Sequence, residues 1–164
     1  MTAVNISVIG GTGYVGLVTG LGLSEIGHQV TNIDIDQDHV NQLNSGNSPI
    51  YEEGINPVLE RNLASGRLKF STDLESSIKD SHVVFIAVGT PSLPNGNIDL
   101  SQITEVANQL RLCIDTYKVI VIKSTVPAGA TKLIQKILTD GVPGDRFDIV
   151  ANPEFLREGN ALTD

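Results

Sequence analysis

The residues best suited to chemistry lie together near the end of the chain, in Asn152–Gly159 (N-P-E-F-L-R-E-G). This segment combines two carboxylates, a guanidinium and an aromatic ring, and a carboxylate can exchange protons with a bound substrate. It directly follows the apolar run Phe147–Ala151, which is typical of a buried strand. Ligands of open α/β sheets bind at the carboxyl ends of the strands. We therefore predict that Asn152–Gly159 forms part of an active site.

A second motif, Gly11-Thr12-Gly13-Tyr14-Val15-Gly16, matches the pattern G-x-G-x-x-G between a predicted strand, Val4–Ile9, and a predicted helix, Val15–Ile26. In such a motif the first glycine permits a tight turn and the second lets a pyrophosphate approach the backbone. The third glycine packs the helix against the strand. The start of the helix offers unpaired N–H groups and a positive dipole end to phosphates. The pattern alone is equally compatible with a purely structural turn, so its context decides.

That context is an acid at the end of the next predicted strand, Val30–Ile35. Asp34 lies where the dinucleotide fingerprint expects a carboxylate, about 20 residues beyond the glycines. Such a carboxylate accepts hydrogen bonds from the adenosine ribose and repels a 2′-phosphate, which favours NAD over NADP. Asp36 is a rival, but we predict that it caps the helix Gln37–Asn44. His39 on that helix can approach the adenosine. The turn and the acid together predict a dinucleotide site.

Two further loops follow apolar strands and are rich in small or hydroxyl residues. The strongest predicted strand, Val83–Val88, leads into Val88-Gly89-Thr90-Pro91-Ser92. The predicted strand Val119–Ile122 leads into Lys123-Ser124-Thr125-Val126-Pro127. Each loop alone can be an ordinary turn, and a Ser or Thr before a helix is often an N-cap. Three such loops, counting Asn152–Gly159, at one edge of one sheet favour a shared ligand.

The elements that must position these loops alternate along the chain. Besides those above, we predict a strand at Leu68–Ser71 and helical segments at Ile55–Ala64, Asp73–Lys79, Ser101–Thr116 and Ala130–Thr139. Strands that are apolar throughout are expected when helices cover both faces of a sheet. Six of them with helical crossovers predict an α/β fold with a doubly wound parallel sheet, a Rossmann-type dinucleotide-binding domain.

Composition excludes several other classes of protein. The chain has 164 residues, enough for one domain, and a net charge of −8, which argues against a nucleic-acid or anionic-membrane partner. No apolar run approaches the length of a membrane span, and the start of the chain leaves no room for a signal peptide. The single cysteine, Cys113, is predicted to be a core residue, which fits a cytoplasmic location. No cluster has metal-ligand spacing, so we predict no metal.

Five segments in this order resemble the nucleotide-sugar 6-dehydrogenases of the UDP-glucose/GDP-mannose dehydrogenase family. The glycine motif is generic, whereas the other four are specific, and the resemblance covers essentially all 164 residues. The segments are Gly10–Gly16, Ser48–Gly54 (S-P-I-Y-E-E-G), Phe85–Pro91, Lys123–Pro127 and Asn152–Gly159.

The resemblance implies an NAD-dependent oxidoreductase that oxidises the C6 alcohol of a nucleotide sugar to a carboxylate with two NAD in succession, through a cysteine-bound thioester. It implies that Glu154 is an acid–base group and that Thr125 helps to hold a water. The motifs and the resemblance together predict these cofactor contacts: Gly11, Gly13, Tyr14, Val15, Gly16, Asp34, His39, Gly89, Thr90, Pro91, Ser124, Thr125 and Glu158. They predict these contacts to the sugar nucleotide: Glu154, Phe155, Leu156, Arg157 and Glu158.

Some positions depart from the family pattern. His39 stands where the family commonly has Lys or Arg, while Glu53 and Ala130 replace a common Pro and Thr. The family's catalytic cysteine, lysine, asparagine and aspartate, its dimerising helix and its second nucleotide-binding domain are expected beyond residue 164. The resemblance therefore predicts a domain that binds NAD, is inactive alone and belongs to a homodimeric parent enzyme.

Three interpretations of function remain open. The favoured substrate is UDP-glucose, converted to UDP-glucuronate, because Glu158-Gly159 and Val126–Gly129 look more like that branch of the family. GDP-mannose or a UDP-N-acetylhexosamine is the alternative within the same enzyme class. A stand-alone dinucleotide-binding module without chemistry is the alternative from another class. Glu154 discriminates against that module, because a sensor needs no acid beside the cofactor.

Overall fold

The structure, a computed structural model, describes residues 2–163 and is built around a six-stranded parallel sheet. The strands are β1 (Asn5–Ile9), β2 (Gln29–Ile33), β3 (Leu68–Ser71), β4 (Val83–Ile86), β5 (Lys118–Ile122) and β6 (Phe147–Ala151). They lie in the order β3-β2-β1-β4-β5-β6, and every neighbouring pair is parallel. The predicted doubly wound sheet is confirmed. The order reverses direction between β1 and β4, where such sheets bind their ligands.

Helices cover the sheet from both sides. They are α1 (Tyr14–Glu25), α2 (Gln37–Asn44), α3 (Ile55–Ala64), α4 (Leu74–Asp80), α5 (Ser101–Cys113) and α6 (Ala130–Thr139). Buried residues of α1, α2 and α3 form one apolar cluster with the sheet, and those of α4, α5 and α6 form a second. Alternation along β1 supplies both clusters, because Val8 belongs to the first and Ile9 to the second.

The end of α5 differs from the prediction. The helix stops at Cys113 rather than at Thr116, because Ile114 turns into an extended conformation with φ −79° and ψ 105°. The side chain of Ile114 is buried in the second cluster. Tertiary packing therefore ends a helix that its sequence pattern would have continued.

The last strand is less buried than predicted. On β6 only Phe147 is buried, while Val150 remains 44% exposed. This strand is the edge of the sheet, and α6 packs against only one of its faces. An apolar sequence is therefore compatible here with a half-covered edge strand.

Cys113 occupies the core position that the sequence predicted, and two histidines make local hydrogen bonds. Cys113 is buried in the second cluster, and its thiol donates to the Gln109 carbonyl at 3.3 Å. The ring nitrogens of His28 and His82 accept hydrogen bonds from the backbone N–H groups of Val4 and Asn5 at the entry to β1. Among residues 2–163, no helix is long and apolar enough to cross a membrane. The same residues hold no group of three or more His, Cys, Asp or Glu able to bind a metal.

Candidate dinucleotide site

The glycine-rich turn joins β1 to α1 and is fixed to the neighbouring strand. The N–H groups of Gly10 and Gly11 both donate to the Ile33 carbonyl at 2.9 Å. The tight turn itself is made by Gly10, whose φ is +78°, rather than by Gly11 as the fingerprint suggested. Gly11 is required for a different reason, because a Cβ there would lie 2.6 Å from the Asn32 Cβ. A Cβ on Gly16 would lie 2.1 Å from the Gly10 carbonyl oxygen.

Gly13 is the glycine that keeps the turn open. A Cβ there would meet only the Gly10 carbonyl oxygen, at 3.5 Å, so the space above the start of α1 stays accessible. Gly13 is also the N-cap residue of α1, and no side chain caps this helix. The first N–H groups of a helix have no helical partner. The N-terminal end of α1 at Tyr14 and Val15 therefore offers donors and a positive dipole end to an anion.

Asn32 braces this turn from below, a role that the sequence did not reveal. Its buried amide donates to the carbonyl oxygens of Gly11 at 2.8 Å and Gly16 at 3.2 Å. A Cβ on Gly20 would lie 2.1 Å from the Asn32 Oδ1 atom, so a glycine in α1 makes room for the amide.

Asp34 follows β2 and faces the turn. Its Oδ2 atom accepts hydrogen bonds from the backbone N–H of Thr12 at 3.1 Å and from the Thr12 hydroxyl at 2.7 Å. Each carboxylate oxygen has two lone pairs, so the group can still accept from a ligand hydroxyl. Asp36 caps α2 as predicted, accepting from the N–H groups of Asp38 and His39. Asp34 is thus the acid that faces the ligand space.

A cleft of about 850 Å³ opens beside Asp34. It runs from Gly13 past Asp34 to α5, and its wall includes several residues that the sequence did not indicate. These are Ile35, Thr72, Leu74, Gln102, Glu105 and Gln109. They are scattered through the chain and belong to no motif, so only the fold brings them together.

His39 lies outside this cleft. Its ring contacts the Asp36 carboxylate at 3.3 Å on the first turn of α2. His39 is not one of the residues that line the cleft. Its predicted approach to the adenosine remains a prediction.

A second cavity of about 300 Å³ lies at the carboxyl ends of β4 and β5. Its wall combines the start of α1 with three loops that the sequence singled out. The lining includes Tyr14, Val15, Gly89, Thr90, Lys123, Ser124, Thr125 and Glu154. Gly13, Ala87, Val88 and Gly89 line both cavities, so the two spaces adjoin above the glycine-rich turn.

Hydrogen bonds between the loops fix this second cavity. The Thr90 hydroxyl donates to the Thr125 carbonyl at 2.7 Å, and the Ser124 hydroxyl donates to the Val88 carbonyl at 2.7 Å. Ser124 therefore lines the cavity while its hydroxyl proton is committed to the neighbouring loop. Pro91 is exposed and not in the lining, and its carbonyl accepts from the Asp99 N–H at 2.8 Å.

Glu154 brings a carboxylate to the wall of the second cavity. Its Oε2 atom accepts the backbone N–H of Leu156 at 2.8 Å, which orients the side chain. Lys123, which the sequence did not single out as a site residue, lines the same cavity and donates to the Asn152 Oδ1 atom at 3.3 Å. The cavity thus holds an acid and a cation together.

Phe155 is 86% exposed, and the predicted sugar contacts Arg157 and Glu158 are exposed as well.

Tyr14 links the cavity to a buried acid, Glu52. The phenol lies 3.0 Å from the Glu52 Oε2 atom. Burial and the Glu52 carboxylate raise the pKa of Tyr14. Glu52 lies in one of the segments that carry the family resemblance, but its partners are remote in sequence, so pattern alone gave it no role.

The doubly wound sheet, the open glycine turn and the acid after β2 together define a dinucleotide-binding domain. The model of the UDP-glucose/GDP-mannose dehydrogenase family, NAD binding domain, matches residues 4–164. The chain therefore belongs to this family, and its cofactor is NAD.

Relatives and solved structures agree with this assignment. UDP-glucose 6-dehydrogenase YwqF of Bacillus subtilis is 46% identical over 161 residues, which are 98% of this chain and 36% of that protein. A UDP-glucose dehydrogenase from Pyrobaculum islandicum superposes with a TM-score of 0.94 at 38% identity, covering 99% of this chain and 38% of that one. A GDP-mannose dehydrogenase from Pseudomonas aeruginosa gives 0.89 at 37% identity, with 98% and 38% covered. The chain thus spans little more than a third of each.

Proposed function

We propose that this chain is one NAD-binding domain and that the protein carrying it oxidises the C6 alcohol of a nucleotide sugar to a carboxylate in two NAD-dependent steps. The observation that carries the proposal is the pair of adjoining cavities above Gly13. An elongated dinucleotide fits such a pair, with Asp34 beside one cavity and Glu154 beside the other.

The residues present fit NAD. The open space over Gly13 and the uncapped start of α1 suit a pyrophosphate, and Asp34 suits an unphosphorylated ribose. When bound, NAD supplies the hydride acceptor. The chain's own residues orient it through the brace between Thr90 and Thr125. Glu154 is then placed to hold or move a proton, with Thr125 on the same wall to help position a water.

The position of Cys113 argues against a role as the covalent nucleophile of such a reaction. It is buried among the apolar residues of the second cluster, and burial raises the pKa of its thiol. A reactive cysteine needs the thiolate form and access to the substrate. We therefore expect the nucleophile that the family resemblance implies to be a residue other than Cys113.

We propose UDP-glucose as the substrate, because relatives bearing that name reach 46% identity. The GDP-mannose dehydrogenase of Pseudomonas aeruginosa is also similar, at 37% identity, so the sugar requires a direct test. Calorimetry with NAD should first give saturable binding of one cofactor per chain. The gene product that carries this chain should then reduce NAD with UDP-glucose faster than with GDP-mannose or UDP-N-acetylhexosamines. Absence of NAD binding would refute the proposal, and a preference for another sugar would correct its substrate.

A further inference from the structure

Glu52 is a buried carboxylate outside the walls of both cofactor cavities. It is only 5% exposed and lies in the irregular segment Ser48–Gly54. Local bonds hold this segment in place: the Ser48 hydroxyl donates to the Ile50 carbonyl at 2.8 Å, and the Glu52 carbonyl accepts the Ile55 N–H at 3.2 Å. The carboxylate is therefore carried on an ordered platform that leads into α3.

Donors from two distant parts of the chain converge on this carboxylate. Oε1 accepts the backbone N–H of Ala161 at 2.6 Å, and Oε2 accepts that of Gly159 at 2.9 Å. The Tyr14 hydroxyl lies 3.0 Å from Oε2 and 3.3 Å from the Arg157 carbonyl oxygen, so it links the start of α1 to both. An ionised carboxylate only accepts hydrogen bonds, so it matches these donors, and bonds to a charged acceptor are the stronger kind.

These contacts join the start of α1 to the end of the described chain. Ala161 is buried and Leu162 packs against the first apolar cluster, so the chain after Gly159 is anchored. The segment Asn152–Gly159, which carries Glu154, runs between β6 and this anchor. Its far end is thus fixed by the Glu52 carboxylate and by apolar packing.

We infer that Glu52 is a positioning residue that holds Asn152–Gly159 in the conformation that receives the sugar nucleotide. The inference rests on the proposed function and deepens it, because it separates the support of the substrate segment from the support of the cofactor. NAD is held by the backbone of the glycine turn and by Asp34, whereas Glu52 meets the side chain of Tyr14 at the end of that turn and two backbone N–H groups after the substrate segment. Glu52 acts instead through Gly159, Ala161 and Tyr14.

The chemistry of an amide makes Glu52→Gln an informative variant. Each carboxylate oxygen faces a backbone N–H, that of Ala161 or that of Gly159. Whichever way the amide turns, its NH₂ group meets one of these donors and cannot accept from it. The neighbouring Glu53 is exposed, so Glu53→Gln removes the same charge from the same segment and is the matched control.

Hydrogen exchange of the gene product that carries this chain provides a test that is independent of activity. In Glu52→Gln the backbone amides of residues 156–163 should exchange at least about tenfold faster, the factor expected from loss of one charge-assisted bond. Tyr14→Phe removes one donor and retains the carboxylate, so it should give a smaller increase in the same segment. Glu53→Gln should leave exchange unchanged. Unaltered exchange of the segment in Glu52→Gln would overturn the inference.

Steady-state kinetics distinguish positioning from general stability. In Glu52→Gln the KM for the nucleotide sugar should rise at least about tenfold, while the dissociation constant for NAD changes less than about threefold. Equal weakening of sugar and NAD binding would overturn the inference, since it would indicate a general loss of structure. A wild-type protein that binds no NAD or oxidises no nucleotide sugar would instead refute the proposed function. The exchange experiment would then still decide whether Glu52 holds the segment.

Discussion

We predict that Asp34 sets the cofactor preference in a single side chain, because its carboxylate faces the cleft and is oriented by Thr12. In Asp34→Asn we expect the affinity for NAD to fall roughly tenfold to hundredfold, the value of a hydrogen bond to a charged group. The affinity for NADP should fall less, since the repulsion of its 2′-phosphate is removed. Calorimetric titration with both cofactors measures the ratio. Asp36→Asn is the control, and an unchanged ratio in Asp34→Asn would contradict the assigned role.

Glu154 makes a separate prediction about the reaction. Glu154→Gln keeps an oxygen that can accept the Leu156 N–H but removes the proton-transfer group. We expect kcat of the gene product to fall about 10²- to 10⁴-fold, the usual contribution of a general acid or base. NAD affinity should stay within about twofold, because the predicted phosphate and ribose contacts lie elsewhere. A kcat within about threefold of wild type would show that Glu154 takes no part in proton transfer.

The site residues that the sequence predicted and those that it missed differ in how far along the chain their contact partners lie. The glycine motif is local, and Asp34 lies at a fixed spacing from it, so both were predicted from one-dimensional information. Glu52 has partners 107 and 109 positions away, which no local pattern encodes. Asn32 was missed because its role depends on the gap left by Gly20, a three-dimensional fit.

At the scale of the element, two glycines of α1 differ in the space available for a side chain. A Cβ on Gly16 would lie 2.1 Å from the Gly10 carbonyl oxygen, whereas a Cβ on Gly22 would meet no atom within 4 Å. We expect Gly16→Ala to destabilise the protein by about 1–3 kcal/mol, the usual range for overpacking, and to weaken NAD binding. Gly22→Ala should stabilise it by about 0.5–1 kcal/mol, because alanine is the better helix former. Urea denaturation measures the free energy of unfolding of both variants. Equal effects would contradict the prediction that the space around each glycine decides the result.

A buried lysine connects two other elements. Lys118 begins β5 with no exposed surface, and its ammonium donates to the carbonyls of Ser81 at 2.8 Å and Lys79 at 3.2 Å. These carbonyls lie at the end of α4, where a cation complements the helix dipole. Burial lowers the pKa of Lys118, although the charges of Asp115 and Asp80 oppose the shift.

The sign of a pH effect follows from that lowered pKa. Just below pH 10.5, the ordinary value for lysine, the unfolded chain holds more protons at this site than the folded chain. The contribution of Lys118 to the free energy of unfolding should therefore rise with pH in that window. Lys118→Met should cost about 1.5–3 kcal/mol at pH 7 and abolish this rise. Urea denaturation across pH measures these free energies, and Lys69→Met, at an exposed strand position, is the control. If the rise persisted in Lys118→Met, a different group would be its cause.

The existence of the helices and strands could be predicted from the sequence, whereas the end of one helix and the exposure of one strand could not. All six strands and the order of helices were predicted, because apolar runs and helical spacing record burial directly. The end of α5 and the exposure of β6 were not, since both depend on neighbours. Ile114 leaves its helix to enter the core, and β6 lies at an edge where α6 covers only one face.

For the whole molecule, we expect the carboxylates that accept hydrogen bonds to contribute to the loss of stability in acid. Hydrogen bonds lower the pKa of Glu25, which accepts from Arg61 and Asn62, and of three acids near helix starts, Asp36, Asp73 and Asp99. Their stabilisation is fully present above the ordinary carboxyl range near pH 4 and is lost as pH falls through the lowered values. Protonation also changes the net charge, which is −8 at pH 7, reaches zero near pH 4.7 and becomes increasingly positive below it, so repulsion between positive charges adds to the loss of stability in acid.

We expect the hydrogen-bonded carboxylates to dominate at about 0.15 M salt, because surface repulsion is then screened beyond roughly 8 Å. The free energy of unfolding should be nearly level from pH 6 to 8 and should fall below about pH 4. The double variant Asp36→Asn, Asp73→Asn tests the cause, since asparagine caps a helix almost as well as aspartate but does not titrate. Its stability at pH 7 should be close to wild type, while its loss between pH 4 and 2 should be shallower. An unchanged slope in urea denaturation over that range would mean that acid instability arises elsewhere in the molecule.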